Sequence, residues 1–303
     1  MKVNRLMIEI LKYKLVKENE KKTKDIVFDP KYNPKRNIPY IGDNNEHHKF
    51  DLYYASKDKK HSLIIDIHGG SYLFGHRKEN YLFGTNFLDA GFDFIAIDYV
   101  ANNGHMDTLD IIDQCIKCIV YIIEHLKELG LEDDRSIALT GDSAGGHLAL
   151  TIAELFNDKE YQKLLGYKLP EINLVAVLLN CSVFNFTEVG LNNMTRGANK
   201  RMFGPKWNDL EHRKKLCPCY HIASLKAPLF VSTCKNDFLR ASESLKLKET
   251  MKTRPNIFTF LDIDEDDPRV GHVHNLLDIN LEASKKVNQA MIDFINKQLK
   301  TSD

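Results

Sequence analysis

Six short apolar runs, separated by stretches long enough to hold helices, constrain this chain more than any other feature. "HSLIIDIHGG", "FDFIAIDYV", "SIALTGDSAGG", "LVAVLLNCSV", "PLFVSTCKND" and "NIFTFLDI" are rich in Ile, Val, Leu and Phe, several of them almost continuously so. Strands apolar on both sides are strands buried on both faces, and the intervals between them have room for crossover helices. The pattern predicts an α/β fold, a mostly parallel central sheet with helices on both faces. An earlier alternating run, "KFDLYYAS", predicts one further strand. In such sheets reactive side chains gather on loops at the carboxyl ends of the strands. A chain of 303 residues with 43% hydrophobic content can bury so large a core.

Two segments lie outside this rhythm. Residues 1–45 begin with "MKVNRLMIEILKYKLVKENEKK", where Val3, Leu6, Met7, Ile10 and Leu11 recur at helical spacing. They predict an amphipathic helix with one face to bury, docked on the protein in preference to a membrane surface. The following "FDPKYNPKRNIPYIGDNN" reads as a loop. The second segment, residues 183–226, carries the single tryptophan and no clear strand. A structureless loop of that length is unusual in a compact domain, so it is expected to form short helices over the sheet edge, as a cap insertion in a domain of residues 46–303. The N-terminal segment is expected to belong with this cap.

Charge and cysteine content remove other classes. Lys+Arg 42 against Asp+Glu 42 leaves no field calling for nucleic acid or an acidic membrane. Glu9, Lys12 and Lys14 interrupt any export signal, and no run of 18 apolar residues spans a membrane. Six cysteines then read as reduced thiols in a cytoplasmic protein. Cys115 and Cys118 lie in a helical pattern without a second ligand pair, so packing is expected of them, and "CPC" at 217–219 reads as a proline-containing loop.

The chemistry concentrates at four places. In "LTGDSAGGHLAL" an apolar strand meets Gly141, Asp142, Ser143, Ala144, Gly145 and Gly146 and leaves as a helix, the strand-turn-helix setting of a G-x-S-x-G nucleophile turn. The glycines admit a sharp turn that lifts Ser143 above the sheet at a helix N-terminus, where negative charge is favoured. A phosphate loop would need Lys-Ser/Thr after its last glycine. In "DIHGGSYLFG" a strand ends at His68, and Gly69 and Gly70 let backbone N–H groups turn toward the serine, where with the Ala144 N–H they form an oxyanion hole. A nucleophile-acid-histidine order puts the acid at Asp237, at the end of "PLFVSTCKND". Its competitors Asp262, Asp264, Asp266 and Asp267 belong to a charge-rich stretch expected to be solvated surface. Beyond the last strand stands "GHVHN", offering His272 and His274 as bases.

Together "HGGS", "GDSAGG", "ND" and "GHVHN" resemble the α/β-hydrolase superfamily and, within it, the hormone-sensitive-lipase-like carboxylesterases, over roughly residues 46–298. The resemblance implies an α/β-hydrolase fold with a small helical cap. It also implies a serine esterase with Ser143 as nucleophile, Asp237 as acid and the N–H groups of Gly70, Ser71 and Ala144, beside Gly69, as oxyanion hole. Relatives commonly carry Gly-His-x-aromatic near the C-terminus, which selects His272 as base and gives His274 the aromatic's place. Two positions depart from the pattern. Ser71 stands where a third glycine is usual, and Val100 follows Asp98 and Tyr99 where relatives often have arginine, removing a structural ion pair. The expected activity is hydrolysis of a small carboxylic ester through an acyl-enzyme, without metal or organic cofactor. An amidase of arylformamidase type, a carbohydrate acetyl esterase and an inactive hydrolase-fold binding protein are the alternatives. Assembly into a homo-oligomer stays open.

Overall fold

In the computed structural model, which describes every residue except 1, 25, 57, 58, 60, 61, 133–135 and 303, the apolar runs become strands of one eight-stranded sheet. The strands are β1 (Lys35–Pro39), β2 (Lys49–Tyr53), β3 (Ser62–Ile67), β4 (Asp93–Ile97), β5 (Ser136–Asp142), β6 (Leu174–Asn180), β7 (Leu229–Cys234) and β8 (Phe258–Ile263). Their spatial order is β1-β2-β4-β3-β5-β6-β7-β8. β1 and β2 are antiparallel to their neighbours and the other pairs are parallel. This is the α/β-hydrolase fold.

Among the described residues ten α-helices accompany the sheet: α1 (Arg5–Lys24), α2 (Tyr81–Asp89), α3 (Thr108–Glu124), α4 (Ser143–Asn157), α5 (Lys159–Leu165), α6 (Arg196–Phe203), α7 (Leu210–Lys215), α8 (Leu245–Thr250), α9 (His274–Leu277) and α10 (Glu282–Ser302). Side-chain alternation builds two apolar layers from each central strand. Leu63, Ile65, Ile95, Ile97, Leu139, Val177 and Leu179 face a layer containing residues of α3 and α4. Ile64, Phe94, Ala96, Ala138, Ala176 and Leu178 face the layer containing α2 and α10. With both faces covered, the only exits for reactive groups are the strand ends.

The segment expected to be a loop before β2 contains β1, whose Ile38 and Pro39 pair with Phe50 and Lys49. "KRNIP" lacks an apolar stripe because it is an edge strand of alternating exposure, where a proline's missing N–H costs no interior ladder bond. The N-terminal helix forms, but it docks on a different face from the predicted one. Ile8 is buried, while Leu6, Met7, Ile10 and Leu11 remain exposed. Tertiary partners set this rotation: Glu9 pairs with Arg201 of α6, and Val3 bridges to Met194. Residues 183–226 hold α6, α7 and single 3-10 turns at 191–193, 218–220 and 222–224. They are tied to the main body through Asp107, the N-cap of α3, which accepts from Leu109 N–H at 3.0 Å and contacts His212 Nε2 at 2.6 Å. Cys115 and Cys118 are buried in α3.

Candidate active site

Ser143 occupies the sharp junction between β5 and α4, with φ +51°. A left-handed non-glycine residue costs about 1–3 kcal/mol and persists only where its surroundings over-determine it. Here they do so through close approach. A Cβ at Gly145 would strike the carbonyls of Ile67 and His68, and one at Gly141 would strike the carbonyl of Gly145. The elbow is thereby pressed against the carboxyl end of β3, from which the glycine loop departs.

That loop is also wound left-handed, at Gly70 (φ +112°), Ser71 (φ +54°) and Tyr72 (φ +62°). The N–H groups of Leu73 and Phe74 close it on the Gly70 carbonyl at 2.9 and 3.2 Å. Among the described residues no acceptor takes the backbone N–H of Gly70, Ser71 or Ala144. Gly69 departs from expectation, because its N–H is donated to Asp142 Oδ1 at 2.9 Å and is spent there. Asp142 is thus a latch between loop and elbow. Burial raises its pKa, against the hydrogen bonds from Asn80 and Gly69 and the charges of His68 and His272. Asn80 Nδ2 reaches Asp142 Oδ1 and Asp66 Oδ2, both at 3.0 Å.

His68 lies fully buried beneath the loop. Burial alone would lower its pKa, but its hydrogen bond to Asp98 (Nε2 to Oδ1, 3.2 Å) and the aspartate's charge prevail and raise it to about 9. Its Nδ1 donates to Gly69 O at 2.8 Å, so the imidazolium ties the loop to Asp98 at the end of β4. Burial opposes ionisation of Asp98, yet hydrogen bonds from His47 and His68 and nearby imidazole charge hold its carboxyl well below the usual range. Arg77 Nη1 donates to Asp98 Oδ2 at 2.8 Å. The ion pair expected to be missing with Val100 is therefore supplied by Arg77, from the far side of the glycine loop.

Asp237 and His272 are brought together by a parallel bridge between Asn236 and Gly271, which aligns the loops after β7 and β8. His272 Nδ1 donates to Asp237 Oδ1 at 2.7 Å, which leaves Nε2 as the ring's acceptor. Asp237 also accepts from Thr233 Oγ1 at 2.9 Å and Leu239 N–H at 3.0 Å. Burial pushes its pKa up, but the hydrogen bond and charge of His272, with the other two donors, lower it overall. Phe238 covers one side of the His272 ring, centroids 4.3 Å apart. The charge of His272 is felt at Asp142, the residue before Ser143. His274 instead opens α9, buried, with Nδ1 3.2 Å from Gly271 O. The competing aspartates are held by surface cations: Asp262 by Arg240 at 2.6 Å, Asp264 and Asp266 by Lys235 at 3.6 and 2.6 Å, and Asp267 by Arg269 at 2.6 Å.

Several residues at the site carry no local sequence signal. Arg77 and Asn80 act on side chains distant in sequence, and Thr233 on Asp237 four residues further on. Arg213 of α7 lies buried over the rings of Phe186 (4.4 Å) and Phe203 (4.7 Å), beside Tyr72 of the glycine loop. Cys181, just past β6, has φ +45° and places Sγ near the Asp237–His272 pair. A cavity of about 410 Å³ separates α1 from the segment after the glycine loop, bordered by Lys12, Val16, Leu73, Phe74, His76 and Ala101.

Known proteins resemble this chain to different depths. The model of the BD-FAE family matches residues 50–251. A Mycobacterium tuberculosis protein named probable carboxylic ester hydrolase LipM is 26% identical over 182 residues, covering 58% of this chain and 41% of that protein. Kynurenine formamidase of Salmo salar is 28% identical over 118 residues, covering 38% and 37%. The chain thus spans about two fifths of the length of these curated relatives. Among solved structures, esterase B of Lactobacillus rhamnosis superposes with a TM-score of 0.85 at 20% identity, covering 98% of this chain and 95% of that one. A bacterial heroin esterase gives 0.68 at 17% identity, covering 99% and 94%. At these identities the structural likeness shows the fold.

Proposed function

Because the chain belongs to the BD-FAE family, we propose that it is a serine hydrolase that cleaves small carboxylic esters through an acyl-enzyme. The observation that carries this reading is the 2.7 Å bond from His272 Nδ1 to Asp237, which leaves Nε2 free to act as base on the loop side of the sheet that also bears Ser143. Ser143 Oγ attacks the ester carbonyl while His272 Nε2 takes its proton, and Asp237 stabilises the resulting imidazolium. The N–H groups of Gly70, Ser71 and Ala144 receive the oxyanion. His272 then protonates the leaving alcohol, and water repeats the cycle on the acylated serine. Helix α1 and residues 183–226, joined by the Glu9–Arg201 pair, form the cap over this site. The LipM relative supports ester over other bonds.

The test is turnover of p-nitrophenyl esters of increasing acyl length by wild type, Ser143→Ala, His272→Ala and His274→Ala. Ser143→Ala and His272→Ala are expected to lose at least about 10³-fold in kcat, with residual rate from the oxyanion hole. His274→Ala keeps the base and loses far less. Full turnover by folded Ser143→Ala would end the proposal, and loss confined to His274→Ala would reassign the base. The salmon relative favours one second reading, an aryl formamide as substrate. N-formylkynurenine assayed with the same variants decides between the two by kcat/KM.

A further inference from the structure

Cys181 has no part in the hydrolytic cycle, yet it is built into the site. It is the first residue after β6, buried, and held in the left-handed region at φ +45°, where a side-chain-bearing residue is strained. Its Sγ accepts the N–H of Val273, the residue after His272, at 3.4 Å. Sγ, a ring nitrogen of His272 and a carboxylate oxygen of Asp237 all lie within 4.8 Å of one another.

Thiolate, imidazole and carboxylate form a donor set suited to zinc and unlike the all-oxygen shells of magnesium or calcium. Tetrahedral bonds of about 2.0–2.3 Å place ligand atoms roughly 3.3–3.7 Å apart. Pairs now between 2.7 Å and 4.8 Å need shifts of about 1 Å or less, which the partly exposed His272 ring can supply. We infer that Cys181, Asp237 and His272 form a binding site for a thiophilic divalent cation of the zinc class, and that its occupation switches off the hydrolase proposed above.

The switch follows from the tautomer. The cation takes the Nδ1 lone pair, so the ring proton passes through solvent from Nδ1 to Nε2. The Cys181 thiol binds as thiolate and releases one proton to solvent, while Asp237 enters already ionised. Nε2 then carries the proton and cannot accept one from Ser143. The carboxylate that oriented the base is engaged by the metal in the same step.

This inference rests on the hydrolase reading, so the experiment separates the two. Rates on a short p-nitrophenyl ester are measured in zinc-buffered solution, each variant normalised to its own metal-free rate, for wild type, Cys181→Ala and Cys181→Ser. Bound zinc per chain is counted independently with a chromogenic indicator, and cobalt reports thiolate ligation through its charge-transfer absorption. Wild type is expected to bind one zinc per chain, to lose at least tenfold in rate and to recover with EDTA. The Cys181 variants are expected to need at least tenfold more zinc for half-inhibition and to lack the cobalt–thiolate band, and magnesium should leave the rate unchanged. Equal zinc sensitivity in wild type and both variants, equal inhibition by magnesium, or a cobalt band that persists in Cys181→Ser overturns the metal site. An inactive metal-free wild type defeats the hydrolase proposal instead, while the indicator and cobalt titrations still decide the site.

Discussion

Replacing Arg77 by methionine tests whether a buried charge cluster holds the glycine loop in shape. The guanidinium is fully buried and donates to Asp51 Oδ1 (3.1 Å), Asp98 Oδ2 (2.8 Å), Asn37 Oδ1 (2.5 Å) and the backbone and side chain of Glu46 (3.1 and 2.9 Å). Asp51 and Asp98 are themselves fully buried, so Arg77→Met removes the cation that the two carboxylates share and leaves Asp51 to Arg36 and Asp98 to His68, whereas the exposed Glu46 contributes little. Breaking a buried ionic arrangement from one side costs about 3–5 kcal/mol. Unfolding entropy of about 2.1 cal/mol/K per residue, over 303 residues, converts this into a melting midpoint lower by roughly 5–8 °C. Gly70 and Ser71 precede this anchor by a few residues, and a displacement of about 1 Å in their N–H groups lowers kcat on the order of 10²-fold. The pH dependence has a definite sign. Asp98 is depressed in the folded wild type, so its contribution is present above the unfolded carboxylate range near 3.9 and is lost only as pH falls through the lower folded value. Without Arg77 the same carboxyl binds protons more readily in the fold, so the deficit of the variant narrows as pH falls from neutrality through the carboxylate range. Calorimetric melts across that range, with ester kinetics, are the assay. A midpoint within about 1 °C of wild type at pH 7 would refute the reasoning, because so small a loss is what an exposed surface pair gives.

Three other substitutions probe separate parts of the argument. Asp237→Asn keeps the shape of the acid but loses the charge that holds His272, and kcat is expected to fall about 10³–10⁴-fold with an unchanged fold by circular dichroism; a loss under tenfold contradicts the role. Glu154 in α4 is fully buried with both carboxylate oxygens unpartnered among the described residues, and burial pushes its pKa well up from 4.5. A raised carboxyl contributes stability below its unfolded pKa and loses it as pH rises toward the folded value, so Glu154→Gln should gain on wild type in melts from pH 5 to pH 8; a gain that shrinks with pH speaks against it. Gly145→Ala drives a methyl into the carbonyls of Ile67 and His68, costing about 1–3 kcal/mol or more in urea unfolding and displacing Ser143 enough to abolish turnover; a stable, active variant means that the elbow is not tightly packed.

What could be read along the chain was whatever depends on neighbours in sequence. Nearly continuous apolar runs announced six strands, because a fully covered strand must be apolar on both sides; five are buried so, whereas β8 at the sheet edge stays partly exposed. "GDSAGG" announced the elbow, because only glycine tolerates that closeness of backbone to backbone. "KRNIP" hid β1, since an edge strand needs no apolar stripe, and α1 turned a different face inward once Glu9 met Arg201. The sequence could offer His272 and His274 but not measure them. The fold gives Asp237 to His272 and buries His274 at the start of α9. It removes Gly69 from the expected donors by spending its N–H on Asp142, and it carries Arg77 across to Asp98 where Val100 supplies no charge. It also sets Cys181 beside Asp237 and His272 from a strand end many residues earlier. Local chemistry fixes which groups are available, whereas loops converging from separate strands fix which of them meet, and the short-range forces of hydrogen bonds and metal ligation act only on those that do.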